Sequence, residues 1–64
     1  MARKVSYTIE LYRSGDRIGS VVSGGTIEAT KQAALTEMAE RGADFVRILE
    51  TATGTEIWSQ RRDA

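Results

Sequence analysis

From Val5 to Tyr12 the chain alternates: Val5, Tyr7, Ile9 and Leu11 fall on one side, Ser6, Thr8, Glu10 and Tyr12 on the other. A period of two over eight positions predicts a strand with one face buried. Arg13-Ser14-Gly15-Asp16 supplies a tight turn, with Gly15 able to adopt positive φ. A second strand runs from Arg17 to Ser23. A two-residue turn at Ser14-Gly15 sets Tyr12 opposite Arg17, and unbroken pairing then sets Leu11 opposite Ile18 and Tyr7 opposite Val22. In that register Tyr7, Ile9, Leu11, Ile18 and Val22 share the inner face.

The period changes at Thr26. Thr26 to Arg41 contains the chain's helical pattern, with Ile27, Ala34, Leu35 and Met38 forming the stripe to be buried. Thr26 is placed to cap the helix, Glu28 lies in its first turn, and Gly42 supplies the left-handed residue that ends it. Glu37 and Arg41 are four apart in the favourable order. Lys31 falls within the buried stripe by angle, so its stem is expected to run along apolar surface to a solvated head.

Strand formers return at Asp44–Glu50 and again at Thr55–Gln60, around a loop at Thr51-Ala52-Thr53-Gly54. A four-residue loop pairs Ile48 with Ile57 and Arg47 with Trp58. A three-residue loop with a glycine bulge pairs Leu49 with Ile57 and Ile48 with Trp58. The first is favoured because it keeps Val46, Ile48 and Ile57 on one face. The expected elements are strands at about 4–12, 17–23, 44–50 and 55–60, a helix at about 27–41 and a frayed tail at 61–64, all in one domain.

The order strand, strand, helix, strand, strand lets the third strand return beside the first. An α+β two-layer sandwich follows, with an antiparallel sheet of order 2-1-3-4 and the helix on one face. The order 1-2-3-4 is the alternative, but it puts the shorter, glycine-containing strand near the centre.

A single helix dries one side of such a sheet. In the favoured registers the other side carries Tyr12, Arg17, Val21, Phe45, Arg47, Leu49 and Trp58, with Thr8 and Glu10 among them. Exposed apolar patches of more than a few hundred Å² mark interaction surfaces, and Trp, Tyr and Arg are enriched at binding hot spots. Arg47 beside Trp58 would form a cation–π pair. The ordinary alternative is that these residues pack locally, with Phe45 wrapping round the edge.

Composition narrows the chemistry. Among 64 residues there is no cysteine, histidine or proline, which removes disulfides, thiolate or imidazole metal sites and the common nucleophile–base pairs. Catalysis is not expected, nor is a metal or a cofactor. Nine basic and nine acidic residues cancel, whereas nucleic-acid binders show a basic excess. A nucleic-acid role therefore stands second. It would use Tyr12, Phe45 and Trp58 for stacking, with a basic bias from Arg3, Lys4, Arg13, Arg17, Arg47, Arg61 and Arg62. Ser23-Gly24-Gly25-Thr26 before a helix offers a weak anion site and reads first as a tight turn. The opening Met-Ala-Arg-Lys leads into a strand with no signal-like run, and no stretch is long enough to span a bilayer. A cytoplasmic protein without membrane contact is expected.

Thr26, Ala34, Gly42-Ala43-Asp44, Val46-Arg47-Ile48 and Thr53-Gly54-Thr55-Glu56-Ile57 together resemble the small bacterial ββαββ proteins of unknown function, over roughly Val5 to Trp58. Thr30 and Met38 depart from the alanines usual on that helix. The resemblance implies a fold and no activity. The leading expectation is a non-catalytic interaction module forming a homodimer through the helix-free face or an edge strand, with another protein as a further possible partner.

Overall fold

The computed structural model describes residues 5–62. Its elements are β1 (Tyr7–Arg13), β2 (Asp16–Ser23), α1 (Ile27–Arg41), β3 (Phe45–Glu50) and β4 (Glu56–Arg61). They form the α+β arrangement that the pattern predicts, a four-stranded sheet of order β2-β1-β3-β4 with every pair antiparallel. The strand expected to begin near residue 4 begins at Tyr7, and Lys4 lies outside the described residues. Arg61, assigned above to a frayed tail, closes β4, and the Arg62 N–H donates to the Asp44 carbonyl at 2.8 Å. Residues 63–64 of that tail lie outside the described residues.

The helix ends are set locally. The Thr26 side chain accepts from the Ala29 N–H at 3.1 Å, and Gly42 at φ 67° lets the last turn close on the Met38 carbonyl. Ile9, Leu11, Val46 and Ile48 from the two central strands meet Ala34 and Met38 from α1, with Ala43 sealing one end. Small residues at the contact let the helix axis approach the sheet.

The buried stripe differs from the expected one. Thr30 is fully buried, whereas Leu35 is 40% exposed. The Thr30 hydroxyl donates to the Thr26 carbonyl at 2.8 Å and lies 3.2 Å from Ser23 Oγ. The polar atom is therefore satisfied and the methyl group is left for the core. With Ile27, Thr30, Ala34 and Met38 pointing inward, Leu35 falls to the side of the stripe.

Both hairpins depart from the expected registers for the same reason. Ser14 (φ 52°) and Gly15 (φ 85°) form the two-residue turn, and Tyr12 pairs with Arg17 as predicted. The register then shifts at Leu11/Tyr12, so Leu11 faces Gly19 and Tyr7 faces Ser23. Ile18 is the extra residue of a bulge. In the second hairpin the four residues between Glu50 and Thr55 form the loop, with the Glu50 N–H donating to the Thr55 carbonyl at 2.8 Å. Leu49 pairs with Glu56, but a second shift leaves Ile57 as the extra residue and pairs Ile48 with Trp58. That is one pair of the alternative register, whose other pair, Leu49 with Ile57, does not form. A one-residue bulge exchanges the faces of everything beyond it. Val21 and Trp58 therefore pack against the helix-side core, and Val22 is turned outward at 66% exposure.

Candidate interaction face and edge

The helix-free face is built from three cross-strand rows. One runs Val22, Thr8, Leu49, Glu56, the next Ser20, Glu10, Arg47, Ser59, and the third Arg17, Tyr12, Phe45, Arg61. Of the residues predicted to share this face, Tyr12, Arg17, Phe45, Arg47 and Leu49 are brought together on it. Val21 and Trp58 are not, because of the two bulges. The expected Arg47–Trp58 cation–π pair is replaced by two others. Arg47 lies over the Tyr12 ring at 5.6 Å, and the Lys31 ammonium lies over Trp58 at 5.8 Å on the far side of the sheet.

Glu10 is the hub of the face, a role that the sequence pattern did not single out. Its residue exposure is 9%, and three neighbours donate to its carboxylate. Arg47 Nε reaches Oε1 at 2.7 Å, Tyr12 Oη reaches Oε1 at 2.8 Å, and Arg17 Nη1 reaches Oε2 at 3.3 Å. Burial pushes the carboxyl pKa up, but the Tyr12 and Arg47 hydrogen bonds, the Arg47 charge and the Arg17 contact outweigh it, so the group is held below the ordinary carboxylate value. The hydrogen bond and charge of Glu10 in turn raise the Arg47 pKa, against the cost of its own burial. Arg47 Nη1 also lies 3.6 Å from Glu56 Oε1. A carboxylate fixed in its ionised form by two guanidinium groups is a structural anchor, the opposite of the raised, protonated carboxyl that general acid catalysis requires.

This network divides the apolar surface. Leu49 and Val22 lie on one side of the charged row, and Tyr12 and Phe45 lie on the other, their ring centroids 5.8 Å apart. The continuous greasy face expected from the sequence is thus two smaller patches with ions between them.

The sheet's two edges differ. Beyond its bulge β2 presents Gly19-Ser20-Val21-Val22-Ser23, five residues without charge or proline. No described loop or side chain bonds to the backbone of that stretch outside the sheet ladder. Across the sheet, β4 begins with Glu56 and the bulged Ile57, ends with Arg61, and is followed by Arg62. Charged residues and bulges are devices that discourage strand addition. β4 carries them at both ends, at Glu56–Ile57 and at Arg61, and the second half of β2 does not.

Other candidates close on themselves. The Ser23-Gly24-Gly25 turn is tied by the Gly25 N–H donating to Ser23 Oγ at 3.5 Å, and Thr26 occupies the Ala29 N–H, so the helix start is capped by its own chain. The described residues contain no group of three or more His, Cys, Asp or Glu able to hold a metal, and no helix long and apolar enough to cross a membrane. Arg3 and Lys4, part of the expected basic bias, lie outside the described residues. Comparison of the chain with protein-family models, curated proteins and solved structures gave no match.

Proposed function

We propose that this chain is a small non-catalytic interaction module that joins a second copy of itself edge to edge through β2, extending two four-stranded sheets into one. The observation that carries the reading is the asymmetry of the edges: β4 is charged and bulged, while Gly19–Ser23 is regular, uncharged and unpaired on its outer side. Antiparallel pairing of identical strands satisfies two-fold symmetry, and it satisfies backbone donors and acceptors in both copies at once. Val22, exposed at 66%, would lose water contact in that pairing. Face-to-face packing of the helix-free sheets has less support, because the Glu10–Arg47 row would have to be desolvated with it.

Sedimentation equilibrium from micromolar to millimolar protein tests the proposal. A dimer is expected, and Val22→Lys, which puts a charge on an already exposed edge position, is expected to return it to monomer with the fold intact. A wild-type monomer throughout that range, or a dimer indifferent to Val22→Lys, would rule out the β2 edge. A nucleic-acid role for the whole helix-free face is weaker still, since Arg17 and Arg47 are both engaged by Glu10 and phosphate neutralisation supplies most of such affinity.

A further inference from the structure

At the end of the sheet that carries the β1–β2 turn, a cavity of about 390 Å³ opens on the helix-free side, lined by Tyr12, Gly15, Asp44, Phe45, Arg61 and Arg62. Its walls follow from the register. Tyr12 pairs with Phe45 and Phe45 with Arg61, so two rings and a guanidinium project side by side from β1, β3 and β4. The Arg62 N–H bonded to the Asp44 carbonyl carries the chain one residue past β4 and sets Arg62 at the rim. The turn is held in place from below: the Ser14 N–H donates to Asp44 Oδ2 at 3.0 Å, and the Asp44 N–H donates to the Tyr12 carbonyl at 2.9 Å. Gly15 completes the lining on that side, with open space around it.

The charges of this corner are disposed differently from those at the centre of the face. Arg17 and Arg47 are bound to Glu10, whereas Arg61 and Arg62 form no ion pair with any described residue. The single carboxylate of the lining, Asp44, has one oxygen engaged by the turn. The lining therefore brings two arginines together with two aromatic residues, beside Asp44 and Gly15. Paired guanidinium groups match a phosphate, which accepts several charge-assisted hydrogen bonds at once, and a Phe or Tyr ring offers a surface on which a base can stack. The rings are tilted by 58°, so a flat ligand lies against one of them and meets the other edge-on. The volume lies near the lower end of small-molecule sites, which suits one nucleotide.

We propose that the Tyr12–Phe45–Arg61–Arg62 corner binds a nucleotide, its base against the aromatic pair and its phosphate on the two arginines, either as a free nucleotide or as one unit of a single strand. The site is separate from Gly19–Ser23, so it stands or falls independently of edge pairing.

Amide chemical-shift titrations of the full chain with AMP, adenosine, inorganic phosphate, phenylacetate and a short oligoadenylate test it. AMP is expected to give saturable shifts at Tyr12, Gly15, Asp44, Phe45, Arg61 and Arg62, with affinity at least roughly tenfold above that for adenosine or phosphate alone, as additive stacking and phosphate contacts require. Arg61→Ala and Phe45→Leu are each expected to weaken AMP binding by roughly tenfold. Should Phe45→Leu fail to fold, Arg61→Ala, a change at an exposed position, carries the comparison. Tighter, salt-dependent binding of the oligoadenylate identifies a strand as the source, and equal affinity identifies the free nucleotide. No saturation by AMP at millimolar concentration, phosphate alone reproducing its shifts and affinity, or phenylacetate binding as tightly as AMP would overturn the assignment.

Discussion

Replacing Glu10 by glutamine keeps the shape of the side chain and removes its charge, which isolates the electrostatic part of the network on the helix-free face. In the native protein Arg47 donates to this carboxylate at 2.7 Å and Tyr12 at 2.8 Å, while Arg17, with a side chain 61% exposed, lies at 3.3 Å. The Arg17 contact is long and well hydrated, so it contributes at most a few tenths of a kcal/mol. A charge-assisted hydrogen bond with a largely buried acceptor contributes about 1.5–3 kcal/mol. Removal of one partner from a fully buried pair costs about 3–5 kcal/mol, but Arg47 keeps 35% side-chain exposure and can rehydrate, which brings the loss below that range. Glu10→Gln should therefore destabilise the fold by about 2 kcal/mol at pH 7. For a domain of this size that is a fall in Tm on the order of 10 °C. The pH dependence carries the sharper test. Because the folded-state pKa of Glu10 lies below its unfolded value, the stabilisation is complete above the ordinary carboxylate value of about 4.3 and is lost as pH falls through the folded value. Urea unfolding of both proteins at pH 7 and pH 2.5 should show a clear gap at the first pH and near coincidence at the second. A gap that persists undiminished at pH 2.5, or none at pH 7, would refute the reasoning.

Two further substitutions probe the helix and the inner face. Trp58→Ala removes a half-buried ring that packs on the core beneath Lys31, and should cost about 2–3 kcal/mol in urea unfolding, less than a fully buried tryptophan would; wild-type fluorescence should also resist quenching by iodide relative to free tryptophan, and full quenching would contradict its placement. Gly42→Ala forces a Cβ into the left-handed region at φ 67° and should cost about 1 kcal/mol, read as a lowered thermal midpoint with unchanged helix content at low temperature.

The element order, the sheet order and the helix bounds are legible in the sequence because each rests on a local cause. Alternation marks β1, Thr26 and Gly42 mark the helix ends, and Ser14-Gly15 marks the turn. Which face each edge strand presents is not legible, because the bulges at Ile18 and Ile57 have no residue signature of their own. The turns predict the first pairs of each hairpin, but one extra residue then reverses everything that follows. A hint was present in β2, where Ile18 and Val21 are three apart, an odd spacing for two residues that both pack against the core. In β4 the adjacent Ile57 and Trp58 left the choice to packing against α1, which the larger ring won. Thr30 carries no apolar signal because its residue type is polar, although its position lies within the stripe and its hydroxyl is satisfied by the Thr26 carbonyl. Glu10 as the hub of the face follows from the β1–β3 register, a long-range pairing fixed by the matching of Ile9 with Ile48 and Leu11 with Val46. Arg61 and Arg62 looked like a tail because nothing local shows that Asp44 will hold the end of β4.

Amide hydrogen exchange at two protein concentrations, followed residue by residue, bears most directly on the assembly. Amides of Gly19–Ser23 that face away from β1 should gain protection as concentration rises from micromolar to millimolar, while the outer amides of Glu56–Arg61 exchange at the same rate in both samples. Protection on β2 that does not change with concentration, or a gain confined to β4 or the helix-free face, would contradict joining through the β2 edge.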